Sequence, residues 1–468
     1  MIKLSRRQWL QSTALGLGAT ASIGVQAAGA AKPNIIFILA DDLGYGDLGC
    51  YGQKMVQTPN LDKMACEGIR FTQCYAGSTV CAPSRCALMT GLHTGHCHIR
   101  GNARVPLRPE DTTVAEVLKS AGYATGLIGK WGLGNEGTTG HPNRQGFDYF
   151  FGYLDQGHAH NYYPEFLWRD EEKVTLPGNK ESEPQVSIEK VTYSQDVIAE
   201  EGLKWIEDHK ADPFFLYLAF TLPHANNEGG RATGNGMEIP DYGIYAKEPW
   251  PDPQKGHAAM ISRLDADVGR VLQKLRDLGI AENTLVIFSS DNGPHKEGGA
   301  DPDFFDSSGI WRGTKRDLYE GGIRVPAMAW WPGTVPSGEV NHRVWAFWDF
   351  LPTAADISGA SVPGGLDGIS LAPTLLAKAS GGRPINQPVH EYLYWEFHEK
   401  GSRQAIRKGS WKGVRLRVSG TVEVYDLNND PKETRDMAST YPEIAAEFGS
   451  MMDRARTDNE HWPLKEGE

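Results

Sequence analysis

The chain has 468 residues, 40% of them hydrophobic and 23% charged, a composition that supports a large core and excludes a disordered or fibrous protein. Its formal net charge is -12, and removing residues 1–30, which carry Lys3, Arg6 and Arg7 but no acid, takes it to -15. So acidic a surface disfavours nucleic acid and anionic membrane as partners, and an anionic substrate would need a local basic pocket or a metal.

At the start of the chain, Ser5-Arg6-Arg7 precedes Trp9-Leu10, an Ala/Gly-rich apolar stretch and the small residues Ala28-Gly29-Ala30. This reads as an export signal of the twin-arginine type over residues 1–30, and it implies a periplasmic or secreted protein. The apolar run is too short and too poor in Leu and Ile for a membrane anchor. Asn34–Ala40 is a continuous apolar run, as in a strand buried on both faces, and residues 123–129, 213–220 and 284–290 read the same way. Helical patterns lie between them at 113–121, 191–209 and 257–278. The alternation predicts an α/β fold over residues 31–384: a large mixed, mostly parallel sheet covered by helices on both faces. Beyond the Gly/Pro-rich stretch 363–384, segments 404–417 and 421–427 and a helical run at 442–454 predict a smaller α+β part over 385–468, a small antiparallel sheet with a helix.

Polar residues follow each buried run: Asp41-Asp42, Lys130, His224 and Asp291-Asn292. Any one of them could be a helix cap or a turn residue. Ligands of open α/β sheets bind at the carboxyl ends of strands, so the four sets together predict one cleft. Asp41, Asp42, Asp291 and Asn292 offer only oxygen, which suits calcium or magnesium and not zinc, with calcium preferred. All six cysteines fall between residues 50 and 97, without zinc-type spacing. One of them, Cys81, opens a predicted helix with Pro83 in its first turn, where free backbone N–H groups and Arg85 would attract an oxyanion.

Cys81-Ala82-Pro83-Ser84-Arg85 resembles the C-x-P-x-R signature of type I sulfatases, formylglycine-dependent members of the alkaline phosphatase superfamily. The likeness extends through Ala40-Asp41-Asp42-Leu43-Gly44, Thr58-Pro59-Asn60, Gly129-Lys130-Trp131, Ser290-Asp291-Asn292-Gly293 and Lys315 ahead of Glu320-Gly321-Gly322, and more loosely to Val424-Tyr425-Asp426-Leu427. The resemblance implies a sulfate ester hydrolase whose Cys81 is oxidised to formylglycine by a maturation enzyme. It implies one metal ion held by Asp41, Asp42, Asp291 and Asn292 and touched by modified Cys81, with Arg85, Lys130, His224 and Lys315 around the sulfate. In the family mechanism a hydrate hydroxyl of formylglycine attacks sulfur, and the second hydroxyl then loses its proton to release sulfate. Either His224 or Lys315 could protonate the leaving alcohol.

One position departs from the pattern. Many members carry a histidine after Lys130-Trp131, where this chain has Gly132, and His158 or His160 is expected to supply the missing base. Export and polar, aromatic loops at 155–164 and 294–297 favour a sulfated carbohydrate as substrate, with a galactose-type sugar as the lead. His158, His160, His295 and Arg100 are the expected substrate contacts. The competing readings are a phosphonate or phosphate ester hydrolase of the same superfamily, and a non-catalytic sugar binder if Cys81 stays unmodified.

Overall fold

The computed structural model describes residues 32–378 and 386–467, so the expected export signal lies outside the described residues. Asn34–Ala40 sits at the centre of the main sheet, paired in parallel with Thr284–Ser290 on one side and Phe214–Ala219 on the other. Alternate side chains enter different cores: Ile36, Ile38 and Ala40 one, Ile35, Phe37 and Leu39 the other. That is why no polar residue interrupts the run. Each such Ile, Leu or Phe contributes about 1.5–3 kcal/mol by leaving water.

Among the described residues the main sheet has ten strands. In spatial order they are Glu339–Ala346, Ile69–Tyr75, Arg324–Trp330, Thr284–Ser290, Asn34–Ala40, Phe214–Ala219, Ala124–Lys130, Tyr149–Tyr153, Phe166–Arg169 and Glu172–Thr175. The five from Thr284–Ser290 to Tyr149–Tyr153 are mutually parallel, and Arg324–Trp330 runs against both of its neighbours. Helices Pro59–Glu67, Ser194–Asp208 and Asp252–Asp277 cover one face; Cys81–Thr90, Val114–Ser120 and Phe350–Ser358 cover the other. Val114–Ser120 begins where its sequence signals it should, because Thr113 Oγ1 accepts from the Glu116 N–H and the Glu116 carboxylate accepts from the Thr113 N–H.

A four-stranded antiparallel sheet follows near the C-terminus: Leu393–Phe397, Arg403–Lys408, Trp411–Arg415 and Glu423–Asp426. The segment 404–417 holds two of these strands, folded back at Gly409, whose φ of +60° suits a tight turn. Phe448, Met451 and Met452 of the Pro442–Arg454 helix pack on one face of this sheet with Tyr394, Ile406 and Val424. On the other face Trp395, Ala405 and Val414 join Tyr75, Val80 and Ala87 in one apolar cluster. The small sheet therefore braces the Cys81–Thr90 helix from behind. Among the described residues no helix is long and apolar enough to cross a membrane.

Candidate active site

The parallel strands all deliver their carboxyl ends to one edge of the sheet, where Ala40 pairs with Ser290 and both Leu39 and Gly129 lie beside Ala219. Asp41 and Asp42 leave the first strand, Asp291 and Asn292 the second, Lys130 ends a third, and His224 follows a fourth. Asp42 takes a positive φ of 65°, held by its own N–H donating to Asp291 Oδ1 at 3.1 Å. A non-glycine residue in that region stores strain that the surroundings must hold, a pattern concentrated at functional sites.

The Cys81–Thr90 helix aims its first turn at this edge, and all ten of its residues are buried. Cys81 Sγ lies 3.4 Å from Asp41 Oδ1. One turn on, Arg85 donates through Nε and Nη2 to Asp291 Oδ2 at 3.0 and 2.8 Å and through Nη1 to the Lys130 carbonyl at 2.8 Å. Lys130 Nζ donates to Asp41 Oδ2 at 2.7 Å. Lys315 Nζ donates to Asp42 Oδ2 at 2.7 Å and faces His224 Nε2 at 3.1 Å. The nine residues expected at the nucleophile, the metal and the sulfate are thus brought together. Three buried carboxylates, those of Asp41, Asp42 and Asp291, are interleaved with three buried cations, Arg85, Lys130 and Lys315.

Burial works against ionising Asp41, but Lys130, His224 and Arg85 outweigh it and hold its carboxyl well below the ordinary range. Asp42 is lowered in the same way, with Lys315 the main force against burial. Asp291 goes the other way: burial, reinforced by the Asp41 carboxylate, pushes it up to about 7 despite Arg85. Burial, helped by the Lys315 ammonium, lowers His224 to about 3. His224 is therefore neutral, with Nδ1 bonded to the Ala225 carbonyl at 2.7 Å and the Nε2 lone pair left to accept from Lys315. Lys315 is held well above its usual value, since Asp42 more than offsets burial.

Two features fit a divalent metal. Asp291 stays raised by burial and the Asp41 carboxylate even with Arg85 bonded to it, and Asn292 Oδ1 is buried without a hydrogen-bond partner while its Nδ2 donates to Asp42 Oδ1 at 2.7 Å. Ligand atoms of Asp41, Asp42, Cys81 and His224 lie within 4.8 Å of one another, so a single ion could be reached by several of them. Glu297 was not foreseen: its Oε2 lies 3.3 Å from Lys315 Nζ and 3.9 Å from His224 Nε2. Only its place in the 294–297 loop hinted at this, because the pairing is made across the fold.

The expected substrate contacts divide. His160 stacks on His224 with ring centroids 4.7 Å apart and pairs with Glu228 at 2.8 Å. His295 packs 6.0 Å from the His224 ring and bonds to the Pro223 carbonyl at 3.2 Å. Arg100 requires correction: it is buried and spent on structure, with Nη1 on Glu396 Oε1 and on the Thr457 carbonyl, both at 2.9 Å. His158 also departs from expectation, lodged between Tyr153 and Phe166 with burial lowering it to about 4. A short 3-10 turn at His158–His160 sends its two imidazoles to different places.

A buried cluster of three cations, three carboxylates and a cysteine at a helix entrance, gathered at the carboxyl edge of a parallel sheet, is suited to an anionic ligand. The sulfatase family matches residues 33–360, and the region described as N-sulphoglucosamine sulphohydrolase, C-terminal, matches residues 310–458. The chain belongs to the sulfatase family, the sulfuric ester hydrolases. It is 35% identical over 408 residues to the N-acetylgalactosamine-6-sulfatase of Sus scrofa, covering 81% of this chain and 71% of that protein. With arylsulfatase A of Homo sapiens it shares 36% identity over 414 residues, 82% of this chain and 75% of the relative. The crystal structure of Ps i-CgsB in complex with k-i-k-neocarrahexaose superposes with a TM-score of 0.77 at 26% identity, covering 93% of this chain and 95% of the other.

Proposed function

We propose that the protein is an exported carbohydrate sulfatase that works through formylglycine made from Cys81 by a maturation enzyme and through one calcium ion. The observation that carries this is the state of Cys81. Burial, with the Asp41 carboxylate adding to it, holds its thiol above the usual range, which disfavours the thiolate. Yet it stands at the centre of the charged cluster, in the order Cys81-Ala82-Pro83-Ser84-Arg85. Oxidation to formylglycine by the maturation enzyme, followed by addition of water to the aldehyde, would supply a hydrate hydroxyl as nucleophile that needs no thiolate.

Asp41, Asp42, Asp291 and Asn292 would hold the calcium, all through oxygen. Bound there, the ion would neutralise sulfate oxygens and act as a Lewis acid. Arg85 and Lys130 fix the remaining oxygens by charge-assisted bonds. Lys315 carries the proton and His224 accepts from it, so the pair is arranged for the ammonium to protonate the leaving oxygen and for the imidazole to orient it. A galactose-type sugar leads as substrate. His160, part-buried over the His224 ring, supports it, as does likeness to a relative named N-acetylgalactosamine-6-sulfatase.

Active protein should give a Cys81 peptide lighter than the cysteine form, and Cys81→Ala should release no sulfate from a panel of sulfated galactoses and glucosamines. Full turnover by protein with unmodified Cys81 would overturn the assignment. For export, Arg6→Lys with Arg7→Lys should leave folded precursor in the cytoplasm, and unchanged export would point to the general secretory route.

A further inference from the structure

Beside the entrance of the Cys81–Thr90 helix lies a cavity of about 210 Å³ that the chemistry above does not use. Its wall includes Asn102, Gly132, Asp155 and Gln156. Asn102 ties it to the nucleophile, because its Oδ1 accepts the Ala82 N–H at 3.0 Å, one residue beyond Cys81. Gly132 ties it to the anion pocket, two residues after Lys130, and its N–H donates to the Leu154 carbonyl at 3.1 Å, which draws the 154–157 segment over it.

Gly132 has a φ of +80°, and a Cβ built on it would fall inside the Gln156 carboxamide. Gln156 therefore occupies the room that a side chain at position 132 would take. Its Nε2 is buried and has no hydrogen-bond partner. Native folds rarely leave a buried donor unpaired, and where they do the group calls for a functional reason or a ligand. The cavity that this donor lines is joined to the site at two points, through Asn102 to the residue after Cys81 and through Gly132 to the segment that ends in Lys130.

We propose that the Gln156 carboxamide donates a hydrogen bond to a sulfate oxygen held over residue 81. The proposal rests on the sulfatase reading of that residue. An amide neither gains nor loses a proton at neutral pH, so its work is to bind and orient the sulfate, not to act as a base. Of the two histidines in the same loop, His160 is engaged with Glu228 and the His224 ring, and His158 packs against Tyr153 and Phe166 with its own Nε2 unpaired but away from the cavity wall. Gln156 is left as the polar side chain of that loop with an unmet donor on this cavity.

The test uses Gln156→Leu, similar in size but without the donor. In a Cys81→Ser background, which cannot turn over, calorimetry with inorganic sulfate should show Kd rising about tenfold, as for loss of a charge-assisted bond. In matured enzyme, kcat on galactose 6-sulfate should fall by about tenfold or more, with the melting temperature unchanged. Unaltered sulfate affinity and kcat in folded Gln156→Leu would overturn the proposal. If that variant does not fold, Gln156→Glu takes its place, with the same shape and an added negative charge. It should weaken sulfate binding further, and wild-type affinity would be equally fatal. A matured wild-type enzyme that releases no sulfate from any ester would instead defeat the sulfatase reading of Cys81.

Discussion

Lys315→Met separates two roles that one ammonium could play. The side chain is nearly inaccessible, and its Nζ lies 2.7 Å from Asp42 Oδ2, 3.1 Å from His224 Nε2 and 3.3 Å from Glu297 Oε2. Methionine keeps the length and removes the proton and the charge. If Lys315 protonates the leaving oxygen, a sugar sulfate with its poor alkoxide leaving group should lose about 10²–10⁴ in kcat/KM, the range for a general acid. That is about 3–5 kcal/mol of transition-state stabilisation. Nitrophenyl sulfate expels a stable anion and needs no proton, so its loss should stay near tenfold, the residue of one lost electrostatic contact. Parallel steady-state assays on galactose 6-sulfate and nitrophenyl sulfate give the ratio directly. Equal losses on both substrates would show that Lys315 only binds sulfate, and the assignment of the proton to it would fail.

Chelation with EDTA or EGTA should abolish sulfate release and lower the melting temperature, with calcium restoring both; Asp291→Ala should lose metal and activity together, whereas stoichiometric zinc on metal analysis would reject the oxygen-donor assignment. Lys412 is buried, with Nζ 3.0 Å from Glu320 and 2.9 Å from Glu433; Glu320 also has Arg324 at 3.1 Å, so Lys412→Met removes the cation paired with Glu433 and should destabilise the fold by about 3–5 kcal/mol in urea titrations. A loss below about 1 kcal/mol would mean that the acids take up protons at little cost. Asp267 supplies a pH test: burial raises it to about 6, with Gln195, Arg270 and Arg263 opposing. Because the folded value lies above the unfolded one, the stability associated with the protonated carboxyl is complete below about pH 4 and drains away as pH rises to about 6. Asp267→Asn should therefore exceed wild type by up to about 3 kcal/mol at pH 7–8, with the gap closing toward pH 4; a pH-independent difference would contradict the raised value.

Much of the site could be read from the chain because its parts are local. A strand buried on both faces must be apolar throughout, so Asn34–Ala40 and Thr284–Ser290 declare their own bounds. The residue that ends such a strand must then stand at the sheet edge, which places Asp41, Lys130 and Asp291. Cys81 and Arg85 need only one helical turn to face the same point. What the chain could not declare was which distant groups meet. Arg100 reads as a free cation until Glu396, 296 residues away, takes it, and Glu297 reads as a loop acid until folding sets it on Lys315. His158 and His160 read alike, but a single turn of backbone sends one into a hydrophobic wall and the other onto His224. Whether Gly132 leaves a gap depends on the tip of Gln156, and side-chain direction across a cavity is set by packing against the whole fold, not by neighbours in sequence.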